Sequence, residues 1–95
     1  MDRLAHVCAR HGVRQLKLFG SVVQGTFDPN HSDLDFLVEF QELTASEHAD
    51  AFFGLMADLE TLFSKSVDLV EERAIRNPYF RQAIAEKQIG LFHID

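Results

Sequence analysis

A chain of 95 residues, 46% hydrophobic and 25% charged, is long enough for one modest core and too short for a second domain, so residues 1–95 are read as a single domain. Fifteen acids against nine bases give a formal net charge of −6, which argues against nonspecific nucleic-acid binding and against a polymerase-like grip on a long template. No apolar run approaches the roughly 20 residues of a membrane span, the first residues lack a signal peptide's apolar core, and the lone Cys8 cannot close an internal disulfide, so a reducing cytoplasm is the expected setting.

The spacing of Leu4, Val7, Cys8 and His11 at i, i+3, i+4 and i+7 predicts a first helix over residues 2–11, with Asp2 as N-cap and Gly12 at its C-terminal end. Cys8 is read as a core residue. His11 is read as a satisfied helix-end histidine, and His6, His48 and His93 likewise as structural and not as ligands. A strand follows over about 14–19, closing on Leu18 and Phe19. Gly20-Ser21 comes next, where a new helical turn can begin. A strand over about 34–40 is apolar on both faces apart from Asp33, Asp35 and Glu39, the mark of a central strand covered on both sides. Thr44-x-x-Glu47 is a capping-box pattern opening a helix of roughly four turns, whose stripe Phe52, Met56, Leu59 and Phe63, widened by Leu55 and Leu62, should pack on the sheet. Gly54 within it would permit close packing. A third strand over 66–70 puts Val67 and Leu69 on one face and Asp68 on the other. Asn77 and Pro78 read as N-cap and first residue of a helix to about residue 87 that buries Phe80, Ala83 and Ile84, with Tyr79 also packed. The apolar tail Ile89-Leu91-Phe92-His93 should form a last short strand or a contact surface.

Two features in this series carry chemistry. A glycine lets the backbone approach a ligand closely, and unpaired N–H groups at a helix start favour an anion, so Gly20 and Ser21 are candidate phosphate-binding residues, Ser21 adding a hydroxyl. After a connection rich in turn formers, Asp33 and Asp35 open the second strand with Leu34 between them. Alternation points the two carboxylates the same way, roughly 7 Å apart along the backbone. Each raises the cost of ionising the other, and a divalent cation removes that penalty. Such oxygen-rich sites suit Mg²⁺.

The run Gly20-Ser21-Val22-Val23-Gln24-Gly25 followed by Ser32-Asp33-Leu34-Asp35 resembles the signature of the minimal nucleotidyltransferases of the polymerase-β superfamily. The resemblance covers essentially the whole chain, including Asn77-Pro78-Tyr79-Phe80-Arg81 near the end. It implies an α/β (α+β) nucleotidyltransferase fold, a small mixed central sheet flanked by helices. It also implies a third carboxylate, Asp68 in Ser66-Val67-Asp68-Leu69-Val70, which joins Asp33 and Asp35 if the third strand lies beside the second. The activity implied is transfer of AMP from ATP to a hydroxyl with release of pyrophosphate. Asp33, Asp35 and Asp68 would act as catalytic and metal-binding residues for two Mg²⁺ ions, while Gly20 and Ser21 anchor the β and γ phosphates.

Small single-domain members of this family resemble antitoxins encoded beside a helical HEPN-domain ribonuclease toxin, silencing it by adenylylating a tyrosine, by binding, or by both. The resemblance therefore implies a HEPN-type toxin as partner, in an assembly with it or between copies. A domain this small has little room for an acceptor-binding module of its own, so a partner that brings the hydroxyl makes physical sense. Two other readings stay open: a nucleotidyltransferase fold that neutralises the toxin by binding alone, and a small-molecule nucleotidyltransferase, which usually needs an added acceptor domain. One departure bears on the choice. Many relatives carry basic residues between Gly-Ser and the following Gly, where this chain has Val22, Val23 and Gln24, and charge-assisted contacts are the strong ones. Arg73, Arg76 and His31 are the candidate substitutes.

Overall fold

Apolar residues at strand period and at helical period alternate along the chain, and the computed structural model shows how they pack. It describes residues 3–20, 23, 25, 28 and 33–94. Helix α1 (Arg3–Arg10) is followed by strands β1 (Val13–Phe19) and β2 (Leu34–Phe40), helix α2 (Ala45–Phe63), strand β3 (Val67–Glu71), a 3₁₀ turn (Glu72–Ala74), helix α3 (Pro78–Glu86) and strand β4 (Ile89–His93). Among the described residues the strands form one mixed sheet in the order β3-β2-β1-β4. β1 runs antiparallel to β2 and β4, whereas β2 and β3 are parallel, joined through α2 as a crossover. The fold is the small mixed sheet flanked by helices that the sequence implies.

Strand alternation divides the core in two. Leu34, Phe36 and Val38 of β2, with Leu16, Val67 and Leu69, pack against Cys8 of α1 and Leu55 and Leu59 of α2. Leu37 points the other way and meets Phe19, Val70, Ile75 and Ile84 of α3. β2 is thus interior and covered on both faces, because its residues are apolar at odd and even positions alike. Fully burying a side chain such as Leu55, Leu59 or Phe36 contributes about 1.5–3 kcal/mol, and this two-sided burial anchors the strand ends described below.

Local signals fix the helices. The Thr44 hydroxyl accepts from Glu47 N–H at 3.2 Å and the Glu47 carboxylate accepts from Thr44 N–H at 2.9 Å, closing the expected capping box. Those hydrogen bonds from Thr44, backbone first and hydroxyl second, hold the Glu47 carboxyl below its ordinary value. α2 runs five turns, one more than its pattern suggested, and ends on Ser64 in the left-handed conformation (φ 55°, ψ 40°). Asn77 caps α3, its side chain accepting from Tyr79 and Phe80 N–H at 2.9 and 3.3 Å, with Pro78 in the first turn. Gly12 follows α1 at φ 68°, as its C-terminal position predicts. The expected Asp2 N-cap lies outside the described residues.

His11 and Gly54 prove to be one feature. The imidazole lies across Gly54, where an added Cβ would approach His11 Cε1 to 2.7 Å, and His11 Nε2 meets the Asp58 carboxylate one turn further at 2.6 Å. The histidine is structural, pinning the end of α1 to α2, and its partner is a carboxylate. Cys8 is buried in the core, as expected. Of the two alternatives for the tail, the strand is realised: β4 pairs with β1, with Leu91 at a register irregularity. Among the described residues no helix is long and apolar enough to cross a membrane.

Three packing expectations for α3 are corrected. Tyr79 is 83% exposed, Phe80 is 44% exposed and Ala83 is exposed, leaving Ile84 as the residue this helix buries. α3 has only nine residues and rests on the narrow strip formed by Phe19, Leu37 and Val70, so one residue reaches that cluster while Phe80 touches Phe19 only edge-on. At the end of α2, Phe63 tilts against Phe36 with ring centroids 5.7 Å apart yet stays 38% exposed.

Candidate active site

Because β1 is antiparallel to β2 and β2 parallel to β3, the C-terminal end of β1 and the N-terminal ends of β2 and β3 meet at one end of the sheet. There Phe19 stands opposite Asp35, and Asp35 is in register with Asp68. Residues paired in register project to the same face, and here it is the Leu37 face: Val67 and Leu69 pack on the opposite side, whereas Val70, two residues beyond Asp68, joins the Leu37 cluster. Asp35 and Asp68 therefore sit side by side on adjacent strands, one strand spacing of roughly 4.8 Å apart along the sheet. Asp33 is exposed immediately before β2, with strand parity matching Asp35, and the ladder is already engaged there, since Leu34 N–H donates to Ser66 O at 3.0 Å.

Gly20 completes this corner. It turns the chain out of β1 at φ 79°, and its bare Cα lies against the Asp35 carboxylate; an added Cβ would overlap Asp35 Oδ2 and come within 2.9 Å of Cγ. Only a glycine supplies both the left-handed backbone and the missing atom. The sequence-derived residues Gly20, Asp35 and Asp68 are thus brought together, with Asp33 at the entrance. Ser21, Val22, Gln24 and His31 lie outside the described residues.

The donor set, carboxylates only, suits a hard divalent cation such as Mg²⁺. Among the described residues no group of three Asp, Glu, His or Cys side chains closes into a metal-holding arrangement. Arg73 is not at this end. Its Nε lies 3.5 Å from Glu71 Oε1 at the far end of β3, where His48 Nε2 approaches the same carboxylate at 2.6 Å. These residues line a separate cavity of about 270 Å³ with Phe40 and Leu43. Three residues of strand, roughly 10 Å, separate Glu71 from Asp68, which removes Arg73 as a substitute phosphate ligand.

Two contributors escape a reading by residue pattern. Phe80 stands edge-on to Phe19 with ring centroids 6.4 Å apart, walling the corner from the α3 side. Arg81 donates from Nη2 to Glu72 O at 3.1 Å and Ile75 O at 2.7 Å, clamping the turn after β3 to α3. The only sequence signal for that clamp is a basic residue in the first turns of a capped helix, which is too common to single out.

Comparison with known proteins agrees with this geometry. A family model described as nucleotidyltransferase domain matches residues 3–90. A Methanocaldococcus jannaschii protein described as a candidate protein adenylyltransferase is 32% identical over 80 residues, spanning 84% of this chain and 78% of that one. Protein adenylyltransferase MntA of Thermococcus cleftensis is 34% identical over 77 residues, spanning 81% and 74%. Among solved structures, a chain from a toxin–antitoxin crystal structure with AMP-PNP superimposes with a TM-score of 0.69 at 25% identity, covering 94% of this chain and 69% of that one. Strand order, the glycine against a carboxylate and these matches lead to one conclusion: the chain belongs to the nucleotidyltransferase domain family.

Proposed function

We propose that the chain transfers AMP from ATP to a hydroxyl, a tyrosine, on a HEPN-type toxin and so acts as its antitoxin in the cytoplasm. The observation that carries this reading is the corner where Gly20 lies on the Asp35 carboxylate and Asp35 stands in register with Asp68. The relatives named as protein adenylyltransferases and the shared fold with a chain of a toxin–antitoxin crystal structure with AMP-PNP support the same activity.

In this reading Gly20 offers bare backbone and Ser21 its hydroxyl to the β and γ phosphates. Asp33, Asp35 and Asp68 would hold Mg²⁺, two ions in all, which would supply charge neutralisation on the triphosphate and make the acceptor hydroxyl more acidic. The acceptor oxygen bonds to the α-phosphorus, the bond from that phosphorus to the bridging oxygen breaks, and pyrophosphate leaves with the electron pair. Asp68 takes the hydroxyl proton. Positioning and electrostatics supply most of the acceleration in such transfers, which suits a corner built on three rigid strand ends.

Val22, Val23 and Gln24 carry no charge, so triphosphate affinity rests on the metal more heavily than in relatives with basic residues there. Calorimetric titration of ATP with and without Mg²⁺ tests the assignment: binding should require Mg²⁺, and equal affinity in both would contradict it. Neutralising the toxin by binding alone is the second reading, and the observation that favours it is the uncharged run Val22-Val23-Gln24.

A further inference from the structure

We propose that Tyr79 is itself an acceptor: one copy of the chain transfers AMP from ATP to the Tyr79 hydroxyl of another. The inference rests on the nucleotidyltransferase reading above and adds a modification site to it. Tyr79 is the chain's single tyrosine and is 83% exposed. Its backbone is fixed, since its N–H donates to the Asn77 side chain at 2.9 Å in the first turn of α3, and among the described residues its hydroxyl has no partner.

The helix turn that carries it stands on the rim of the carboxylate corner. Phe80, the next residue, leans on Phe19, and Phe19 is the strand partner of Asp35. Successive helix residues are turned by about 100°, so with Phe80 leaning on Phe19 the Tyr79 side chain leaves the sheet-facing side and stands 83% exposed, open to a second copy. A corner that accepts a tyrosine borne on a different protein must be open to an approaching protein surface. Access then does much of the selection among tyrosines. Tyr79, displayed on a capped helix beside the exposed Arg76, meets that requirement, and the basic residue suits an approach to a corner lined by Asp33, Asp35 and Asp68.

The step balances with ATP as the one co-reactant. The Tyr79 phenolic oxygen bonds to the α-phosphorus, the bond to the bridging oxygen breaks, pyrophosphate departs with the electron pair, and the phenolic proton passes to a carboxylate of the copy that holds ATP.

A complementation experiment tests it. Asp35→Asn leaves Tyr79 but removes a catalytic carboxylate; Tyr79→Phe leaves the corner but removes the acceptor. Incubated separately with ATP and Mg²⁺, neither should gain mass. Mixed, the Asp35→Asn chain alone should gain one AMP unit, mapped by peptide mass spectrometry to Tyr79, and an Asp68→Asn chain should serve equally as acceptor. No gain in the mixture while calorimetry shows that Tyr79→Phe binds Mg-ATP would overturn this inference and leave the nucleotidyltransferase reading standing. An AMP unit on Tyr79→Phe alone would also overturn it. Failure of Mg-ATP to bind at all would remove both.

Discussion

Replacing Gly20 with alanine separates the backbone role of this residue from its place in the site. At φ 79° an L-residue costs about 1–2 kcal/mol relative to glycine. In a domain of this size that lowers the melting temperature by roughly 5–15 °C. The new Cβ would also stand 2.9 Å from the present position of Asp35 Cγ, closer still to Oδ2, so the carboxylate must move by about an ångström. A displacement of that order among reacting groups costs ~100-fold in rate. Gly25 provides the control, because it has the same φ of 79° with nothing among the described residues within 4 Å of an added Cβ. Gly25→Ala should lose comparable stability and keep its Mg-ATP affinity and transfer rate, whereas Gly20→Ala should lose both functions. Thermal melts, calorimetry and transfer assays on the two variants read this directly. If Gly20→Ala transferred AMP at the wild-type rate, Asp35 would not be the carboxylate that matters.

Ser64→Gly should stabilise the chain by roughly 0.5–1 kcal/mol, since it relieves the left-handed cap of α2; an unchanged or lower denaturation midpoint would contradict this. Leu59→Ala, at a fully buried position against Phe36 and Val67, should cost about 2–5 kcal/mol by urea denaturation, and a loss under 1 kcal/mol would mean the main core lies elsewhere. Glu47 titrates below its ordinary value of 4.5 in the folded state, so its contribution is present above pH 4.5 and lost as pH falls through the lower folded value. The stability gap between wild type and Glu47→Gln should therefore shrink progressively below pH 4.5, and a gap constant with pH would count against the capping interaction.

Much of this architecture can be read from the chain because its signals are local. Thr44 and Glu47, Asn77 and Pro78, and Gly12 each determine a helix end through bonds or dihedrals within a few residues. The two-sided apolar run of β2 likewise marks its interior place. Asp35 and Asp68 lie 33 positions apart, and residue pattern alone gives no reason for them to meet; the family motif implied it, and the parallel register of β2 and β3 brings it about. What periodicity misjudged is the coverage of α3. Apolar spacing tells which residues could pack, whereas the width of the strip beneath decides which do, and so Tyr79 and nearly half of Phe80 remain in solvent. Arg73 was misplaced for a related reason, since its distance from Asp68 along the sheet depends on where β3 ends and on its pairing with Glu71.

The central claim is that this chain inactivates its partner by chemistry at the carboxylate corner, and intact-mass spectrometry of a HEPN-type toxin incubated with the chain, ATP and Mg²⁺ tests it most directly. The account predicts that the toxin gains AMP on a tyrosine with the wild-type chain and gains none with Asp68→Ala, while both chains still form the complex. A toxin fully silenced by Asp68→Ala with no added mass in either mixture would contradict it and leave binding alone as the activity.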